Sequence, residues 1–136
     1  MSLFQAGKYI LENAEESLRV LGSIRESGSN MWLATTKYYI EYFSVYAFLM
    51  RVGIKCEIHD CTIEFVRHLE KAGFMGKGIS KILGQDKDLR IDNQYYLKNR
   101  PVKIDMDSLR KFVLDMKGRI ENLSVEDIGK IRSIFR

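Results

Sequence analysis

The side chains able to do chemistry in this 136-residue chain gather in one short stretch, where both cysteines and one of the two histidines fall between Cys56 and Cys61. His59 follows Lys55 by four positions and Arg51 by eight. A neutral imidazole near the start of a helix suits a general base acting on a ribose 2′-hydroxyl, with Arg51 or Lys55 stabilising phosphate charge. The plainer reading of His59 is a hydrogen bond to a neighbouring helix. Cys56, His59 and Cys61, with His68 further on, are residue types that bind zinc. The order Cys-x-x-His-x-Cys is not a structural zinc pattern, however, and no second compact ligand pair accompanies it. The thiols are therefore read as small hydrophobes in a turn. Neither metal nor cofactor is expected. Gly73-Phe74-Met75-Gly76-Lys77-Gly78 contains a Gly-Lys pair but lacks the P-loop spacing and its Ser or Thr.

A second set of candidates lies on aromatic and charged residues. Trp32, Tyr38, Tyr39, Tyr42 and Tyr46 could stack bases as in single-strand binders. At helical spacing they read equally as core or as a dimer surface. Their hydroxyls need partners, and Asp88, Arg90 and Asp92 are candidates to supply them. Arg90 and Asp92 read alternatively as a solvated charge pair. Tyr39, Asp88 and Arg90 are the expected binding residues.

These side chains must be positioned by helices. Seven of the fifteen aromatic residues fall between Trp32 and Phe48. One apolar row runs through Trp32, Tyr39, Ile40, Phe43, Ala47 and Met50, and a neighbouring row through Tyr38, Tyr42, Tyr46 and Leu49. Only a stripe of Lys37, Glu41, Ser44 and Arg51 is polar, so this is the expected central helix, ending near Gly53. A first helix begins at the N-cap Ser2, carries Ala6, Tyr9 or Ile10, Ala14, Ser17 or Leu18, Leu21 and Ile24 inward, and stops near Ser27-Gly28-Ser29. A third follows His59 with Ile63 and Val66 inward, and stops at Gly73. Residues 73–85 hold four of the ten glycines and read as a flexible connection with at most a helical turn at Ile79 to Leu83. Asp86 or Asp88 caps a fourth helix through Leu89, Asn93 and Tyr96, ending before Pro101. Asp105 or Asp107 starts a fifth with Met106, Leu109, Phe112 or Val113, and Met116 inward. Ser124 and Asp127 open a short sixth, with Ile128, Ile131 and Phe135 inward. No two-residue alternation with hairpin turns occurs. The expected architecture is all-α: one domain over residues 1–136, an antiparallel bundle of five or six helices, with Leu33, Ile40, Phe43, Ala47, Ile63, Val66, Phe112 and Met116 largely buried.

Composition sets outer bounds. A net charge of +4 and a pI near 9.1 permit an anionic partner, but the 22 cations are scattered among 18 acids. No window reaches the ~18 uninterrupted apolar residues of a membrane span. There is no secretory start, so a cytoplasmic protein with reduced thiols is expected.

Trp32 to Ala47, Gly53-Ile54-Lys55 through His59 with Thr62-Ile63, and Asp88-Leu89-Arg90 with Gln94-Tyr95-Tyr96 resemble the HEPN family of small bacterial and archaeal helical proteins. The likeness covers roughly residues 8 to 120. It implies a bundle of four or five helices, frequently dimeric, often encoded beside a small nucleotidyltransferase as a toxin and antitoxin pair. Catalytic members are metal-independent ribonucleases that carry an Arg followed about four to six residues later by a His, whereas here Arg51 precedes His59 by eight positions and Arg67 adjoins His68. Lys55 has the separation but not the guanidinium fork that clamps phosphate. The expected function is therefore a HEPN-like binding module for RNA or nucleotide, paired with a nucleotidyltransferase. The alternatives are a ribonuclease toxin using His59 with Arg51 or Lys55, and a structural homodimer without ligand. The wide aromatic helix also implies apolar surface that a second copy covers, hence a homodimer.

Overall fold

The computed structural model describes residues 2–135 and, among them, six α-helices and no strand: α1 (Leu3–Ile24), α2 (Asn30–Arg51), α3 (His59–Lys71), α4 (Ile79–Gln94), α5 (Met106–Glu121) and α6 (Val125–Ile134). Four of the six helices start where a nearby side-chain oxygen takes up a free N–H group of the first turn. Ser2 and Gln5 form a capping box at α1, Ser29 accepts from Trp32 N–H at α2, Asp105 from Ser108 N–H at α5, and Ser124 and Asp127 form a second box at α6.

α2 is the central element, packing against α1, α4 and α5. α1 runs antiparallel to it, and a Cβ placed on Gly7 would lie 3.1 Å from the Ala47 carbonyl oxygen, so the lack of a side chain there lets the two backbones approach. α4 is also antiparallel to α2: Asn93 near its end bonds the Asn30 carbonyl, while Asp86 a little earlier meets Lys37. One core cluster joins Tyr38, Val45, Phe48 and Leu49 to Val66 and Leu69 of α3, Leu83 of α4, Met116 of α5 and Ile131 of α6. A second joins Leu11 and Leu21 of α1 to Leu33, Ile40 and Ala47 of α2 and Leu109 and Val113 of α5. The burial expected for Leu33, Ile40, Ala47, Ile63, Val66 and Met116 holds, whereas Phe43 and Phe112 are only half-buried. At the α5 position left open between them, Val113 rather than Phe112 points into the core.

Three expectations about local structure are corrected. Residues 79–85 are not a loop but the first half of α4. Gly78 precedes the helix at φ 91° with no side-chain cap of its own, and the Glu70 carboxylate of α3 accepts from Ser80 N–H instead. A cap supplied by another helix leaves no local mark in the sequence. Asp86 accordingly lies inside the helix and is not its cap. α4 also ends at Gln94, before Tyr96, because the buried Asn93 amide takes over the chain: it donates to the Arg100 carbonyl (2.9 Å) and accepts from Arg100 N–H (2.6 Å), pinning a loop in which Leu97 and Asn99 have φ of 52°. The stripe taken as the polar face of α2 is mostly interior, with Glu41 3% exposed and Ser44 fully buried and donating to the Ile40 carbonyl. What faces outward is Trp32, 56% exposed, followed by the half-buried Thr35, Thr36, Tyr39, Phe43 and Tyr46. No helix among the described residues is long and apolar enough to cross a membrane.

Candidate functional site

His59 is the first residue of α3, and the bundle packs that helix start against the aromatic face of α2. Its ring lies on Tyr42, with centroids 4.2 Å apart and planes at 16°, and meets Tyr38 at 5.6 Å. The Tyr38 hydroxyl and His59 Nδ1 are 2.7 Å apart. Burial pushes the Tyr38 phenol above its ordinary range, and burial together with Arg90 and Lys87 pulls His59 below its own. At neutral pH the pair is therefore an intact phenol and a neutral imidazole. No other acceptor for the phenol is found among the described residues, so Tyr38 donates and Nδ1 accepts. The remaining proton of the imidazole then sits on Nε2, which makes the free nitrogen a donor.

Arg90 of α4 completes the cluster. Its guanidinium carbon stands 5.2 Å from the Tyr38 ring centroid, 5.4 Å from Tyr39 and 5.8 Å from Tyr95. It donates to the Tyr39 hydroxyl (3.3 Å) and to Gln94 Oε1 (3.2 Å), and both partners are neutral. The residue is 8% exposed and its Nε has no hydrogen-bond partner. No carboxylate among the described residues forms an ion pair with it: Asp86, one turn before, is taken by Lys37 at 2.8 Å, and Asp92 by Arg100 and Lys98. Lys87 binds Asp60 beside His59, and this contact holds the Asp60 carboxyl below the usual carboxylate range.

The structure thus brings His59, Arg90 and Tyr39 together. Arg51, in contrast, stacks at 5.0 Å over Phe4 in a separate groove floored by Gly7, Leu11 and Ile120. Lys55 is exposed and pairs with Glu57 at 3.5 Å. Asp88 lies on the exposed side of α4. Arg90 and Asp92 do not form the charge pair considered for them. Sequence reasoning missed Lys87, named Gln94 only within a segment that carries the family resemblance, and placed Tyr38 and Tyr42 in an aromatic row without a role at His59. The helical spacing from Arg90 to Gln94 was the one available signal. Among the described residues no three His, Cys, Asp or Glu side chains are gathered closely enough to hold a metal ion. No protein-family model matches the chain, and no curated protein matches it.

Proposed function

We propose that this chain is a HEPN-like module that binds single-stranded RNA, seating a phosphate against Arg90 with His59 Nε2–H as a second donor. The observation that carries this reading is the guanidinium of Arg90, buried without a counter-charge. A buried cation normally has an anion beside it, because taking it out of water is costly. Here the protein supplies rings and neutral oxygens and leaves the anion's place to a ligand. Tyr95, 64% exposed, lies with its ring centroid 5.8 Å from the Arg90 guanidinium carbon and offers a π-face to an unstacked base. Binding is favoured over cleavage because a protonated Nε2 donates and does not abstract a proton, and because Arg51 and Lys55 point elsewhere. The outward row of α2 supports pairing with a second copy, and the resemblance supports a nucleotidyltransferase as partner.

The test is fluorescence anisotropy with a short labelled single-stranded RNA at fixed salt. Arg90→Gln is expected to weaken binding about tenfold to a hundredfold, the equivalent of about 1.5–3 kcal/mol. Unchanged affinity, or a loss seen with Arg51→Ala in place of Arg90→Gln, would overturn the reading. RNA degradation abolished by both His59→Ala and Arg51→Ala would establish the ribonuclease in its stead.

A further inference from the structure

The groove that holds Arg51 is a second place where a cation meets an aromatic ring and no anion. It runs between α1 and α5 with a volume of about 410 Å³, within the span of small-ligand sites, about 300–1,000 Å³. Its floor is apolar, made by the buried Leu11 and Gly7 of α1 and by Ile120 of α5. Gly7 contributes no side chain, and a Cβ there would lie 3.6 Å from the Arg51 backbone nitrogen, which puts Arg51 at the Phe4 and Gly7 end of the groove. The Arg51 guanidinium carbon is 5.0 Å from the Phe4 ring centroid. The residue is half-buried and, among the described residues, enters no ion pair.

We propose that this groove binds a small amphiphilic carboxylate, with its carboxylate on Arg51 and its apolar chain along Leu11 and Ile120. Charges of both signs line the groove, so their depth decides which sign it favours. Lys8, Glu12 and Glu121 are exposed, and water and salt weaken their pull on a ligand. The half-buried charges are two cations, Arg51 and Lys117, against one acid, Glu15. Glu15 also stands eight residues beyond Gly7 on α1, about 12 Å along the helix and away from the Arg51 end. The fork of a guanidinium matches a carboxylate in two parallel hydrogen bonds, and the Phe4 ring holds the fork in place without using its charge. Beyond that end the floor offers apolar surface and no polar group that a hydrocarbon chain would leave unsatisfied.

The test adds decanoate, below its micelle-forming range, to the full nitrogen-15-labelled chain and follows the amide resonances. Those of Gly7, Leu11, Arg51 and Ile120 are expected to move and to saturate. Octanoate, shorter by two methylenes, should bind about fivefold to tenfold more weakly. Decanol, with the same chain and no charge, and decylammonium, with the opposite charge, should each bind about tenfold more weakly than decanoate. Arg51→Gln should lower decanoate affinity about tenfold, while Lys55→Ala, which removes an exposed charge outside the groove, should leave it unchanged. The comparison of the four compounds on the parent chain keeps the test decisive should Arg51→Gln disturb the fold. Resonances that stay still, decanol binding as tightly as decanoate, tighter binding of decylammonium, or an equal loss with Lys55→Ala would each overturn the proposal. Groove resonances that move on dilution of the protein alone would overturn it too, by making a second copy the occupant. No readout involves RNA, so failure of the RNA reading and failure of this one are separable.

Discussion

Lys37 and Arg90 are two cations on the same α2–α4 seam, and they meet different company. Lys37 has a carboxylate of α4 at 2.8 Å and a second carboxyl, Glu41, at 3.8 Å on its own helix. With Asp86 ionised beside it and little water near, Glu41 has no use for a charge of its own, and its carboxyl is pushed up to about 10, first by burial and then by Asp86. The patch is balanced within the protein: one cation, one anion, one neutral acid. Arg90, four residues after Asp86, has no such balance. The bundle places a carboxylate on this seam at Asp86 and, among the described residues, none in an ion pair with Arg90, and this contrast is what the proposed anion binding rests on.

The hardest way to break this contrast is to unbalance the balanced patch. Lys37→Met leaves Asp86 and Glu41 sharing a site without a cation, and about 3–5 kcal/mol of stability should be lost at neutral pH, read by urea unfolding. A smaller loss than about 1 kcal/mol would show that solvent reaches the pair freely. Glu41→Gln should act in the opposite direction. The native state holds a proton on Glu41 that the unfolded chain releases above its ordinary value of 4.5, so this group's contribution is complete below 4.5 and declines as pH rises toward 10. The amide cannot ionise, and the variant should lack that slope and be more stable than the parent at pH 8 by about 1–3 kcal/mol. A parallel pair of stability curves would contradict the assignment.

At the unbalanced cation the outcome should reverse. Without RNA, Arg90→Gln is expected to match or exceed the parent's stability within about 1 kcal/mol, since it removes a buried charge that has no counter-ion. A destabilisation as large as that of Lys37→Met would mean that Arg90 is structural. Tyr38→Phe deletes the donor to Nδ1 and should cost about 1 kcal/mol, with the imidazole proton no longer confined to Nε2 in nitrogen-edited spectra. Lys55→Ala should change neither stability nor RNA affinity by more than about 0.5 kcal/mol, as befits one half of an exposed ion pair.

How much could be read beforehand follows the same division between local and distant causes. Ser2, Asp105 and Ser124 bond N–H groups within their own first turn, and the sequence offers all three as caps, Asp105 with Asp107 as the alternative. The central place of α2 was legible from its aromatic density. Glu41 was not legible as an interior residue, because its burial depends on Asp86, far along the chain on another helix. The site divides likewise: His59, Tyr39 and Arg90 stood out by type, but Arg51 and Lys55 were put beside His59 on nearness in sequence. Tyr38 reaches His59 across 21 positions and Arg90 reaches Tyr39 across 51, and no spacing rule covers such distances.

The carboxylate of Glu70 at the head of α4 has a consequence for how far that helix depends on α3. Its glycine-rich start gives α4 little reason to nucleate alone, since a first turn fixes several residues for a single hydrogen bond and the local N-cap is a glycine without a side chain. Once α3 has formed and swung back, Glu70 offers Ser80 N–H its acceptor. The start of α4 is thus stabilised only while α3 is in place, so loosening α3 would weaken the helix that carries Arg90 as well as the one that carries His59.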